Sequence, residues 1–114
     1  MATRAITSAD FEKTVTDNDI VLVDFWATWC GPCKAFGPVF EAASEANPDI
    51  VFAKVDIDQN QDLAAAAGIS AVPTLMIAKK GQIIFKQAGA LRAADLDDLI
   101  AQARKLDLNA ANAE

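Results

Sequence analysis

Two short, nearly continuous apolar runs constrain this chain more than anything else in it: VLVDFW at residues 21–26 and IVFAKVDI at 50–57. Runs of that length without polar alternation are expected of strands covered on both faces. Between them, from Cys33 to about Ala46, lies a segment rich in alanine and glutamate with Phe36, Phe40 and Ala43 at helical spacing. Strand, helix and strand in that order make a βαβ unit, whose crossover requires the two strands to be parallel. Pro38 falls inside the helix, removes one backbone donor and is expected to kink it.

The flanking segments complete an α/β fold. Residues 3–6 read as an edge strand, and Ser8 is a candidate cap for a first helix near residues 9–15. QDLAAAAG at 61–68 reads as a short helix ending at Gly68, and TLMIAKKGQIIFKQAG at 74–89 as an antiparallel hairpin with Gly81 in its turn. AADLDDLIAQARKL at 93–106 puts Leu96, Leu99, Ile100 and Ala103 on one face, with acids early and bases late to match the helix dipole. The expected architecture is a central mixed parallel and antiparallel sheet flanked by helices. Residues 1–106 form one domain, and 107–114 form a short polar tail with nothing to bury.

With 114 residues, 53% of them apolar and 23% charged, the chain can bury a core without covalent staples. A net charge of −6 without a basic patch argues against a nucleic-acid surface. No apolar run approaches the length of a membrane span, and MATRAITSAD at the N-terminus lacks the apolar stretch of a signal peptide. A cytoplasmic, reducing compartment is therefore expected. There a pair of cysteines serves catalysis or metal binding more often than it staples a fold. Nothing in the sequence asks for a dimer, so a monomer is expected.

Both cysteines lie in DFWATWCGPCKAF, residues 24–36. A structural zinc site wants four ligands, and this chain has two cysteines and no histidine, so no metal is expected. A disulfide between positions 30 and 33 closes so short a loop that it adds little to stability. Reactive chemistry remains. The helix begins near Gly31 and Pro32, and proline is tolerated in a first helical turn. Residues three apart on a helix are neighbours, close enough to form a disulfide and open it again. Cys30 at the helix N-terminus gains thiolate stabilisation from free N–H groups and the dipole, which makes it the nucleophile. Cys33, one turn further in and expected to be more enclosed, resolves the mixed disulfide.

The motif WATWCGPCK, with VLVDFWA before it and KVDIDQN, GISAVPTL and QAGAL following in order, resembles the thioredoxin family from about residue 6 to residue 103. The resemblance implies the thioredoxin fold and a general protein-disulfide reductase that exchanges dithiol for disulfide with client proteins. It implies recharging by an NADPH-dependent flavoprotein, thioredoxin reductase. The chain has no nucleotide fingerprint such as G-x-G-x-x-G, and no cofactor of its own is expected.

The resemblance also assigns roles to individual residues. Taken from its run alone, Asp24 is either buried in a covered strand or exposed at a strand end. The resemblance implies a buried acid of raised pKa that takes the Cys33 proton. Lys54, otherwise a solvated lysine, corresponds to the family's modulator of that acid. Pro73 corresponds to a proline in cis linkage facing the disulfide, with the Val72 backbone presented to an extended client segment. Trp29, Gly31 and Pro32 belong to the active-site rim, and Trp26 packs beneath it. Gly89, ahead of Ala90, corresponds to a glycine that admits a partner's backbone, where a plain end-of-strand turn is the alternative. Ala71, Ala78 and Ala88 depart from the family's common choices, the first and last of them on the rim.

Overall fold

The structure, a computed structural model, describes residues 2–108. The chain runs β1 (Thr3–Ala5), α1 (Ser8–Asp17), β2 (Ile20–Trp26), α2 (Gly31–Ala46), β3 (Val51–Asp56), α3 (Gln61–Ala66), β4 (Thr74–Lys79), β5 (Gln82–Ala88) and α4 (Ala93–Lys105). The five strands lie in the order β1-β3-β2-β4-β5. β2 and β3 pair in parallel with Asp24 opposite Lys54, as the crossover requires. β4 returns antiparallel on the other side of β2, which places Leu75 opposite Asp24. The last residues of the expected tail, 109–114, lie outside the described residues.

Alternation along β2 divides the core in two. Leu22, with Phe52, Leu75 and Ile77, faces α2 and α4, where Phe36, Phe40, Leu96 and Ile100 are buried. Val21, Val23 and Phe25 face the opposite way, toward Val15 of α1 and the half-buried Leu63 of α3. The aromatic centre of the first layer is Phe40, with ring centroids 5.7 Å from Phe36 and 5.2 Å from Phe52. Each such fully buried side chain contributes about 1.5–3 kcal/mol through removal from water. Asp24 shares the parity of Leu22 and therefore lies on the α2 side of the sheet.

α2 holds Pro38 within its span, where the sequence places it. Other local expectations change in the structure. The cap of α1 is Thr7, not Ser8. Thr7 has the extended backbone of a cap residue, and its N–H and hydroxyl both donate to the Asp10 carboxylate, at 3.4 and 3.0 Å. The Ser8 hydroxyl instead donates to Asp62 at 2.6 Å, while its backbone N–H donates to the buried Asn60 at 2.9 Å, tying α1 to the segment before α3. In the hairpin, Lys80 joins Gly81 at positive φ (50° and 79°), as a tight two-residue turn demands of both central residues. A register shift between Ile77 and Ala78 then bends β5, the exposed edge strand.

Sequence patterning gave no hint of the role of Lys79. Its side chain is buried, at 7% exposure, and its ammonium donates to the carbonyls of Ala103, Arg104 and Leu106 at 2.7, 3.2 and 2.7 Å. Those carbonyls belong to the end of α4, so one lysine both satisfies orphan acceptors and complements the helix dipole.

Candidate active site

β2 ends at Trp26, and the turn at residues 27–29 delivers Cys30 to the start of α2. Cys30 is the N-cap, with extended backbone, and its sulfur accepts the backbone N–H of Cys33 at 3.1 Å. Pro32 lies in the first turn, where its lack of an N–H leaves no bond unmade. No acidic residue occupies that turn, so nothing offsets the positive end of the helix dipole beside the sulfur. Cys30 and Cys33 are joined in a disulfide with Cα atoms 5.3 Å apart.

One expectation fails here. Cys33 is not the more enclosed of the pair, since Cys30 is 3% exposed and Cys33 5%. What distinguishes the two sulfurs is the backbone N–H aimed at Cys30. Around them close Ala27, the half-buried Trp26 and Ile57, and Val72. The Val72 carbonyl oxygen is 3.5 Å from the Cys30 sulfur, and the Val72–Pro73 bond is cis, in agreement with the resemblance.

Asp24 is buried, at 0% exposure, and neither carboxylate oxygen has a hydrogen-bond partner. Burial therefore pushes its pKa up to about 6, while the positive charge of Lys54 opposes part of that rise. Lys54 is half-buried across the ladder from Asp24, and its ammonium lies 5.1 Å from the centroid of the Trp26 ring. A small cavity of about 160 Å³ is lined by Trp26, Cys33, Lys34 and Lys54 among others. It joins the second sulfur to the lysine that faces Asp24.

The remaining predicted residues form the rim. Trp29 is 67% exposed, and its indole N–H donates to Asp58 at 2.8 Å. Gly31, Pro32 and Ala90 are exposed and Val72 is half-buried, whereas Pro73 is buried. Gly89 has φ of 112°, so the turn itself requires glycine, and a Cβ added there would meet nothing within 4 Å. Its N–H donates to the Pro73 carbonyl at 2.8 Å. Sequence reading missed Asp58, which is 29 positions from its indole partner, and Thr74, whose hydroxyl donates to the Ala71 carbonyl at 2.6 Å. Apolar periodicity carries no signal for either contact.

A mixed sheet that presents an openable cysteine pair at a helix N-terminus, beside an unpaired buried acid, defines a thiol–disulfide oxidoreductase. Comparison with known proteins narrows the class. The thioredoxin family model matches residues 2–102. A protein of Streptomyces coelicolor described as putative thioredoxin 2 is 57% identical over 108 residues, 95% of this chain and 81% of its own length. Thioredoxin of Haemophilus influenzae is 43% identical over 99 residues, covering 85% of this chain and 92% of its own. Among solved structures, Plasmodium falciparum thioredoxin aligns with a TM-score of 0.82 at 33% identity, over 88% of this chain and 98% of that one. The chain belongs to the thioredoxin family. It performs dithiol–disulfide exchange through Cys30 and Cys33, and family membership implies disulfide-containing client proteins and a reductase as its partners.

Proposed function

We propose that this chain works in the reducing direction, with Cys30 attacking client disulfides and Cys33 resolving them. The Cys30 sulfur at the N-cap of α2, receiving the Cys33 N–H at 3.1 Å, carries the order of attack, and membership of the thioredoxin family supports the reducing direction. In the dithiol state that N–H and the helix dipole favour a thiolate at position 30. The Cys30 thiolate attacks one client sulfur, the client disulfide breaks, and the first client thiolate leaves and takes up a proton. Asp24 then accepts the Cys33 proton through the cavity that Cys33 and Lys54 line. The Cys33 thiolate attacks the Cys30 sulfur of the mixed disulfide, and the second client thiolate departs. Two electrons have passed to the client, and Cys30 and Cys33 remain as a disulfide.

The client enters over Trp29, Gly31 and Pro32 on one side and over Val72, Pro73, Gly89 and Ala90 on the other, pairing its backbone with Val72. An NADPH-dependent flavoprotein reductase returns the electrons. Direction is tested by equilibrium with glutathione. Mixed with an equimolar amount of oxidised glutathione, the dithiol form is expected to end mostly as its own disulfide. A dithiol that persists would assign the chain to disulfide donation instead.

We further read the protein as a cytoplasmic monomer. The support for the monomer is that the large apolar side chains exposed among the described residues are three single ones: Trp29 in the turn before α2, Ile83 on β5 and Leu106 at the C-cap of α4. Light scattering at micromolar concentration is expected to give the mass of one chain, and a twofold mass would refute it.

A further inference from the structure

The Gly68–Pro73 loop carries Val72 from the end of α3 to the cysteine pair, and the β4–β5 hairpin holds it by the carbonyls at both ends. At the start, Gly68 (φ 69°) and Ile69 donate to the carbonyls of Ala65 and Ala64 at 3.1 and 2.9 Å, closing the end of α3. The carbonyl of Ala67, the residue before the loop, accepts from the ammonium of Lys86 on β5 at 2.9 Å. That ammonium stands 3.2 Å from where a Cβ on Gly68 would be. At the other end the hydroxyl of Thr74, only 4% exposed, donates to Ala71 at 2.6 Å, and the Gly89 N–H takes the Pro73 carbonyl at 2.8 Å. Between these anchors lies the Val72 carbonyl, 3.5 Å from the Cys30 sulfur.

We propose that Thr74 and Lys86 are positioning residues for client exchange: together they clamp this loop so that the Val72 backbone stands ready beside Cys30. The proposal rests on the reading that clients pair with Val72. Short loops sample several conformations unless their polar groups are tied down. If only a fraction of molecules holds the pairing conformation, the apparent affinity for client falls by that same fraction. Thr74 acts from a buried position, where losing the donor leaves the Ala71 carbonyl unpaired and is felt strongly. Lys86 acts from an exposed one, where the bond is weaker because water competes. Both side chains donate to backbone carbonyls and not to a cysteine sulfur, so their effect is on pairing and not on the reactivity of Cys30.

The test compares two second-order rates on the fully reduced protein. One is the reaction with an extended peptide carrying a disulfide, which requires pairing. The other is alkylation by iodoacetamide, which reports the Cys30 thiolate and needs no pairing. The ratio of the first to the second is expected to fall about fivefold in Thr74→Val and about twofold to threefold in Lys86→Met. Lys86→Arg, which keeps a cationic donor, should restore the ratio to the wild-type value. A purely structural role would lower the melting temperature and leave the ratio unchanged, which would overturn the proposal. So would a Lys86→Arg variant as impaired as Lys86→Met, and the Lys86 pair decides the matter if Thr74→Val does not fold. Failure of the wild-type dithiol to reduce the peptide at all is a separate result, and it would remove the reductase reading together with the clamp.

Discussion

Cys30→Ser is expected to lower insulin-disulfide reduction by about a thousandfold or more, to the level of the thiol donor alone, because the remaining thiol, Cys33, lacks the N-cap position that makes Cys30 the nucleophile. Cys33→Ser should fail differently. It keeps the first attack but cannot release the client, so mixed disulfides at Cys30 accumulate and are identified by mass spectrometry. The difference follows from the geometry. Both cysteines are buried in the disulfide, at 3% and 5% exposure, so burial does not single out Cys30 as the accessible one. The ranking comes from the N-cap position, where Cys30 faces the Cys33 N–H at 3.1 Å at the head of the sixteen-residue helix α2. Such a dipole favours negative charge within its first turn by about 0.3–1 kcal/mol, and more where the site is shielded from water. The N–H adds a bond to a charged acceptor worth about 1.5–3 kcal/mol. Cys33 lies inside the helix, without that arrangement. Mixed disulfides trapped in Cys30→Ser and absent from Cys33→Ser would reverse the assignment.

The pair and its fold were legible for a physical reason. A covered parallel strand cannot afford polar residues on either face, so β2 and β3 stand out as apolar runs, and a helix between them leaves one topology. The interruption of such a run by Asp24 was visible too, but its meaning was not. Alternation says which face a side chain takes; it does not say whether another layer covers that face. Only the packing of α2 over β2 establishes that Asp24 is dry. Contacts between polar groups far apart in sequence were hidden altogether, among them Lys79 against the end of α4, Asp58 against Trp29, and Lys86 against Ala67. The misplaced cap belongs with these. By type Ser8 is a slightly better cap than Thr7, but Asn60 and Asp62 engage Ser8 from across the fold, and Thr7 takes the cap instead.

Asp24→Asn is expected to stabilise the oxidised protein at neutral pH and to slow its chemistry. The carboxyl has a pKa of about 6 in the folded protein against an ordinary value of 3.8. Between those values the folded state keeps a proton that the unfolded state releases, so the contribution of Asp24 to stability is greatest below pH 3.8, declines as pH rises toward 6 and levels off above it. The full penalty above that window is about 3 kcal/mol, because a tenfold difference in proton affinity between the two states corresponds to about 1.36 kcal/mol. An uncharged asparagine escapes it, although its own buried amide lacks partners, so the observed gain at pH 7 lies below that ceiling. Urea unfolding across the window should show the advantage of the variant vanishing toward acid pH; parallel curves would show that Asp24 is not the group responsible. The same substitution removes the acceptor for the Cys33 proton. Release of client from a preformed mixed disulfide should therefore slow by about tenfold, near the low end of general-base effects because water can substitute in the cavity. In the wild type that release should rise with pH and level off above about 6. In Asp24→Asn the inflection should be missing. A single buried carboxylate then explains opposite changes in stability and rate, since the desolvation that destabilises the fold also raises Asp24 to a pKa at which it can accept a proton near neutral pH.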